Sequence, residues 1–182
     1  MVAGATLSGL TWQTVFDTEW GFFGLGGNDA GILRSCLPMD SKERARSHIL
    51  SGSDPIAEGC PWDEVRDRIC SYFAGDLVQF VRKARFNLVQ MTPFSRAVLL
   101  ACGELPYGMT TTYRVLALRV GRPRAARAVG TIMARNPLPL LVPCHRVVRS
   151  DGQLGGFSAP GGADTKRRML QLESEVEARV GA

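Results

Sequence analysis

Apolar and polar residues alternate along Thr11-Trp12-Gln13-Thr14-Val15-Phe16-Asp17-Thr18, the period-two pattern of a strand with one buried face. Glu19-Trp20-Gly21 reads as a turn, and Phe22-Phe23-Gly24-Leu25 as a second strand. Gly26-Gly27-Asn28-Asp29 is a hairpin signal, because glycine and asparagine accept the positive φ of tight turns. Gly31-Ile32-Leu33-Arg34-Ser35-Cys36-Leu37 follows as a third strand. The paired glycines lack Walker or dinucleotide spacing, so they read as turn residues and not as a nucleotide loop. After Asp40 the period changes to helical. Ser41 can cap a helix over 42–50, and residues 62–73 place Val65, Ile69, Tyr72 and Phe73 on one face. His48 lies on the first of these helices with no ligand partner nearby, and reads as a surface or helix-end residue. Residues 51–55 read as a loop, and the small, mixed residues 1–10 as a frayed start. Residues 75–88 show no clear period and read as the connection between two units.

The second half is mostly helical in pattern. Thr92 caps, Pro93 suits the first helical position, and Phe94, Val98, Leu99 and Cys102 line one face, with Cys102 a core thiol. Residues 105–110 form a turn. A short helix starts at Thr112 and runs to Val120, Gly121-Arg122-Pro123 breaks it, and a longer helix runs from about Arg124 to Arg135. Two helices across a short glycine-containing turn make a helix-turn-helix. On the second helix Val129, Ile132 and Met133 face inward, while Arg124, Arg127, Gly130, Thr131 and Ala134 share the opposite face. Small residues beside arginine suit close approach to a narrow groove with little sequence readout. Plain packing against another helix explains Gly130 and Ala134 equally well. A last helix spans about 163–180. The fold class expected is α/β: a small N-terminal α/β domain (1–88) with a three-stranded antiparallel sheet plus helices, then a mostly helical, winged-helix-like C-terminal domain (89–182).

Charge sharpens this division. The 182 residues are 45% hydrophobic, enough for a real core, and carry a formal net charge of +5. Residues 1–90 hold 9 Lys+Arg and 11 Asp+Glu, a net of −2, whereas residues 91–182 hold 13 and 6, a net of +7. Between Thr110 and Arg149 there are eight arginines and no acidic residue, which fits a polyanionic partner better than an ordinary mixed surface. Five cysteines form no CxxC pair, the count is odd and no signal-peptide pattern opens the chain, so a cytoplasmic protein with reduced thiols is expected. No apolar run reaches membrane-spanning length, and two histidines with scattered cysteines argue against a structural zinc site.

The candidate chemistry sits in Asn136-Pro137-Leu138-Pro139-Leu140-Leu141-Val142-Pro143-Cys144-His145-Arg146-Val147-Val148. Three prolines restrain the backbone, and a nucleophile needs that rigidity because small misplacements are costly in rate. A protonated thiol is a poor nucleophile, and a neighbouring imidazole or relayed water can remove its proton. Glu173, closing Lys166-Arg167-Arg168-Met169-Leu170-Gln171-Leu172-Glu173, is placed to orient His145. By itself a Cys-His pair is more often a buried thiol beside a structural histidine. The wider pattern is more specific. Pro143-Cys144-His145-Arg146-Val147-Val148, a Gly-rich turn, and Lys166 to Glu173 resemble the active-site signature of the O6-alkylguanine-DNA alkyltransferases (methylated-DNA–protein-cysteine methyltransferases). Thr112-Tyr113-Arg114-Val115-Leu116-Ala117 and Arg127-Ala128-Val129-Gly130 resemble the two helices of the family's helix-turn-helix. The likeness runs from Pro93 over about half the chain; the first half resembles the family's variable N-terminal domain only loosely, and a scaffolding role is expected of it.

The resemblance implies direct repair of duplex DNA bearing O6-alkylguanine, with thymine O4 as a further lesion left open. The alkyl group would pass irreversibly to Cys144, once per molecule, with His145 and Glu173 moving the thiol proton. It implies that Arg127 fills the space of the rotated-out base and that Tyr113 pushes the backbone and donates to the base. Asn136 would brace the thiol's turn. Thr112, Tyr113, Arg124, Arg127 and Gly130 would meet DNA, and Pro139, Val147, Gly155, Phe157 and Ser158 would line the base pocket. No metal or other cofactor and no membrane contact is implied, and a monomer is expected, cytoplasmic and nucleoid-associated if bacterial. There are departures. Phe157 stands where many relatives carry Tyr, Ala159-Pro160 lengthens the loop and weakens the assignment of Ser158, and the zinc ligands of some relatives have no match. Three rivals stay in view: a thiol hydrolase that turns over, a lesion-binding protein without transfer, and a transcription regulator with sequence readout.

Overall fold

The computed structural model describes residues 9–51, 56–80 and 85–180. Residues 1–8 of the expected frayed start and most of the expected 51–55 loop lie outside the described residues. Three antiparallel strands, β1 (Trp12–Thr18), β2 (Gly21–Asn28) and β3 (Gly31–Met39), form the expected sheet. A two-residue strand, β4 (Ala57–Glu58), adds to the β1 edge in parallel, giving the order β3-β2-β1-β4. Both of its residues are exposed, so no alternation announces it. The hairpin also differs from expectation. Gly26 and Gly27 belong to β2, and the turn lies beyond them at residues 29–30, where Asn28 Oδ1 accepts from the Ala30 N–H at 3.0 Å. The strand glycines have a packing reason. A Cβ on Gly24 or Gly26 would lie 2.7 Å from Ile49 side-chain atoms, so helix α1 (Lys42–Leu50) rests directly on the bare backbone. Ser41 caps α1 by accepting from the Arg44 N–H, and His48 is exposed near its end.

The other face of the sheet, with Trp12, Phe23, Leu25, Ile32 and Leu37, packs with α2 (Asp63–Phe73) through Val65, Ile69, Tyr72 and Phe73. That hydrophobic cluster continues without a break into the second half, through Val98, Leu116, Val129, Leu141, Cys144, Met169 and Val176. Within the expected connection, residues 85–87 run along β3: Ile32 donates to Arg85 O and accepts from the Asn87 N–H, at 2.7 and 2.9 Å.

The second half opens with α3 (Pro93–Gly103), where the Thr92 hydroxyl accepts from Ser95 N–H and Pro93 sits at the start as expected. Helices α4 (Tyr113–Arg119) and α5 (Ala126–Ala134) pack on it and on each other. The joining segment is longer than read from sequence, covering residues 120–125, and it turns at Gly121 with φ +70°. Arg124 therefore precedes α5 and is not on the helix. The division of faces on α5 holds: Val129 and Met133 are buried and Ile132 half-buried, while Arg127, Thr131 and Ala134 are exposed. An element the sequence pattern did not announce ties this unit to the thiol segment. Strands β5 (Thr111–Thr112) and β6 (Val147–Val148) pair in parallel, so the start of α4 lies beside the residues that follow Cys144. Helix α6 (Gly162–Val180) closes the chain with Lys166, Met169, Glu173 and Val176 on its buried face. No described helix is long and apolar enough to cross a membrane.

Candidate active site

The thiol segment is held by two clasps. Asn136 closes it as a clasp: its Oδ1 accepts from the Leu138 N–H at 3.0 Å, and its Nδ2 donates to Val142 O at 2.9 Å. From β3, Ser35 donates its N–H to Pro137 O and its hydroxyl to Pro139 O, at 2.8 and 2.9 Å. Leu140, fully buried, takes φ +72°, a left-handed conformation costing a non-glycine residue on the order of 1 kcal/mol. Its burial and the clasps around it hold that geometry. Cys144 then begins a single 3-10 turn over Cys144–Arg146, which orients three successive side chains into the protein.

Cys144 is buried, with 6% of the residue's surface exposed. Burial raises its pKa above the ordinary thiol value, against opposing pulls from Asn136, the Lys166 charge and nearby backbone N–H groups. His145 is completely buried, and burial lowers its pKa although the hydrogen bond and charge of Glu173 work the other way. The pair therefore rests as thiol and neutral imidazole. His145 Nε2 lies 2.7 Å from Glu173 Oε1, which assigns the ring proton to Nε2 and leaves the lone pair on Nδ1. Nδ1 is buried and has no hydrogen-bond partner among the described residues.

Glu173 is the hub. Oε1 accepts from Tyr72 Oη (2.8 Å), His145 Nε2 (2.7 Å) and Arg146 Nη2 (3.0 Å). Oε2 accepts from Arg146 Nε (2.9 Å) and the Gly108 N–H (3.0 Å). Burial alone raises a carboxyl pKa, but the hydrogen bonds of His145 and Arg146, the Arg146 charge and, once the ring protonates in acid, the His145 charge outweigh it and hold Glu173 at about 2. Arg146 also donates to Leu105 O at 2.7 Å, so this buried cation is paired on both sides. Sequence reasoning found Cys144, His145, Asn136 and Glu173 but missed Tyr72, Arg146, Gly108 and Ser35. Arg146 had a signal, since it directly follows the Cys-His pair. Tyr72 read as one more residue of an apolar helix face.

Around the thiol, the remaining expected residues converge in part. Tyr113 is half-buried at the start of α4. A Cβ on Gly155 would fall 3.0 Å from the Tyr113 hydroxyl, and one on Gly130 3.9 Å from its ring, so both glycines pack against this tyrosine. Lys166 is buried, donates to Val147 O at 2.6 Å and stands 5.9 and 6.0 Å from the ring centres of Tyr113 and Phe157. Its place seven residues before Glu173, on the same helical face, was the available signal. Ser158 donates its hydroxyl to Ala134 O, at the end of α5, with 2.6 Å between them. Pro139 is half-buried and paired with Val142. Thr112 uses its hydroxyl to cap α4, accepting from the Val115 N–H. Arg124 and Arg127 are exposed on the outer side of the helix-turn-helix. Beyond the Gly-rich loop lies an open cleft of about 520 Å³ lined by Arg149, Gly152 to Gly156, Ala163 and Arg167.

A helix-turn-helix with an arginine-bearing outer face, joined through β5–β6 to a cysteine backed by a histidine–glutamate pair, defines a class: proteins that dock on nucleic acid and use a thiol there. Residues 93–175 match the family model described as 6-O-methylguanine DNA methyltransferase, DNA binding domain. The methylated-DNA–protein-cysteine methyltransferase of Methanosarcina barkeri is 42% identical over 149 residues, covering 82% of this chain and 88% of that protein. Its counterpart in Mycobacterium tuberculosis is 41% identical over 157 residues, 86% of this chain and 88% of that protein. The crystal structure of Mycobacterium tuberculosis OGT in complex with DNA superimposes with a TM-score of 0.73 at 30% identity, covering 91% of this chain and 94% of that one. The chain belongs to the methylated-DNA–protein-cysteine methyltransferase family.

Proposed function

We propose that this protein repairs duplex DNA by taking the alkyl group from O6 of guanine onto Cys144, irreversibly and once per molecule. The observation that carries the reading is the neutral His145 beside Cys144, held by Glu173 through Nε2 with its buried Nδ1 unpartnered. The cysteine sulfur attacks the alkyl carbon in line. The new C–S bond forms as the C–O6 bond breaks, and the electron pair leaves on guanine. The thiol proton passes to His145 Nδ1, directly or through one water, and Glu173 stabilises the imidazolium that forms. Lys166 places a positive charge near the sulfur as it becomes anionic. The transfer uses only protein groups and substrate. Its product is a thioether that no residue of the site is equipped to hydrolyse, unlike the ester of a thiol hydrolase.

A guanine inside a duplex must first leave the stack, at a cost of a few kcal/mol. In this reading α5 docks in the minor groove, with Gly130 and the exposed Ala134 permitting close approach, and Arg127 occupies the vacated space. Arg124 contacts backbone from the preceding turn, and Thr112 meets DNA through its hydroxyl proton, which can donate to a phosphate while the oxygen accepts from the Val115 N–H. Tyr113 presses on the flanking phosphate and donates to the base, which sits among Pro139, Val147, Gly155, Phe157 and Ser158. Residues 1–88 then act as the N-terminal domain that braces the thiol segment, and 89–182 as the domain that docks and transfers. The protein acts as a monomer in the cytoplasm. Incubation with an O6-methylguanine oligonucleotide is expected to add one methylene mass to the Cys144 peptide, and not in Cys144→Ala. Absence of that gain in the parent overturns the reading. Arg127→Ala is expected to slow repair in duplex far more than reaction with free O6-benzylguanine; equal losses remove the finger role.

A further inference from the structure

Tyr72 stands apart from the rest of the relay because it comes from α2, in the half of the chain without docking or thiol residues. Its ring is fully buried, wedged edge-on against Phe73 and Tyr107 with centroids 5.1 and 5.9 Å away. It also faces the His145 ring at 6.4 Å. Its hydroxyl donates to the same Glu173 oxygen that accepts from His145 Nε2. Burial and the adjacent Glu173 charge raise the phenol pKa far above its ordinary value, so the group is a donor across the working pH range.

We propose that Tyr72 is a positioning residue of the relay: by sharing Oε1 of Glu173 with His145 it draws off part of that oxygen's charge and keeps the imidazole a neutral base. The physical reason lies in what surrounds His145. Burial favours the neutral ring, and so do the Arg146 and Lys166 cations; Glu173 alone favours the imidazolium. A carboxylate oxygen that already accepts a hydroxyl proton is less basic and attracts the imidazolium less. Tyr107, packed against Tyr72 and under the Arg146 guanidinium at 5.4 Å, is a further titratable neighbour, and Cys144 directly precedes His145 in the chain. Arg146 and the Gly108 N–H anchor Glu173 independently, so losing the Tyr72 hydroxyl leaves the carboxylate in place. Docking of the N-terminal half is thereby linked to the basicity of the histidine that serves the thiol. For its purpose the proposal rests on the transfer reading above.

The test follows the His145 ring by NMR titration and the labelling of Cys144 by iodoacetamide, read by peptide mass, across pH in the full chain. In Tyr72→Phe the histidine titration and the acid limb of the labelling rate are expected to move up together by about one pH unit, a roughly tenfold gain in basicity. Site-specific 3-fluorotyrosine at position 72 donates more strongly and is expected to move both down. Opposite shifts support the proposal. An unmoved limb in both variants overturns it, even if the rate falls, because a purely structural residue lowers rate without moving a titration. If Tyr72→Phe fails to fold, the fluorotyrosine protein decides alone, a downward shift supporting and no shift refuting. Iodoacetamide needs no DNA, so a parent that takes no methyl group from DNA sinks the repair reading while the limb still decides on Tyr72.

Discussion

Replacing Glu173 by glutamine tests the site through its thermodynamics. The carboxylate is completely buried and accepts five hydrogen bonds, two of them from the Arg146 guanidinium. Its pKa falls from an ordinary 4.5 to about 2, the His145 and Arg146 interactions overcoming burial. At about 1.4 kcal/mol per pH unit, that drop corresponds to about 3 kcal/mol of folding stability. A folded-state pKa below the unfolded one means the stabilisation is present above about pH 4.5 and disappears as pH falls toward 2. An independent route gives a similar size, since removing one partner of a buried ion pair costs roughly 3–5 kcal/mol. Glu173→Gln keeps the shape and one acceptor oxygen, but turns an NH2 toward groups that are themselves donors. Urea unfolding at pH 7 is expected to show a loss of about 3 kcal/mol, and the melting temperature to fall by roughly 6–12 °C for a chain of this length. The gap to the parent is expected to narrow between pH 5 and pH 3. Methyl transfer is expected to slow by at least roughly a hundredfold, since the imidazolium loses its counter-charge. A gap below about 1 kcal/mol at pH 7, or one that stays constant down to pH 3, refutes the assignment of Glu173 as the site's ionised hub.

Gly155→Ala is expected to impair the base pocket: the residue has φ +70° and its new Cβ would lie 3.0 Å from the Tyr113 hydroxyl. Single-turnover kinetics on duplex DNA should show weaker transfer with a stability loss of only about 1 kcal/mol, and unchanged kinetics would mean the loop does not bound the pocket. Ser35→Ala removes the hydroxyl bond to Pro139 O while keeping the backbone bond to Pro137 O. A loss of about 1 kcal/mol in urea is expected, with transfer slowed because the thiol segment loosens; full activity would show that the Asn136 clasp suffices alone.

Much of the site was legible before the fold. The strands β1 and β3 showed in alternation and apolar runs, and the starts of α1 and α3 showed in Ser41 and in Thr92-Pro93, because capping is local chemistry. The buried glycines of β2 misled, since a glycine chosen to let Ile49 approach the backbone looks the same in sequence as one chosen for a turn. β4 and the β5–β6 ladder are two residues per strand, too short to carry a period. The extent of the 120–125 turn was hidden because Arg124 and Ala125 have no aversion to helix.

By itself the sequence marked the candidate set, because thiol, imidazole and clasp lie within ten residues and Glu173 recurs at helical spacing from Lys166, on the same face. Only the tertiary structure decided how those groups are charged. Burial of His145, the pairing of Arg146 with Glu173, and the arrival of Tyr72 and Ser35 from the first half depend on packing that includes residues more than a hundred positions apart. Those contacts set the protonation of the buried cluster around Glu173, and no local pattern encodes them.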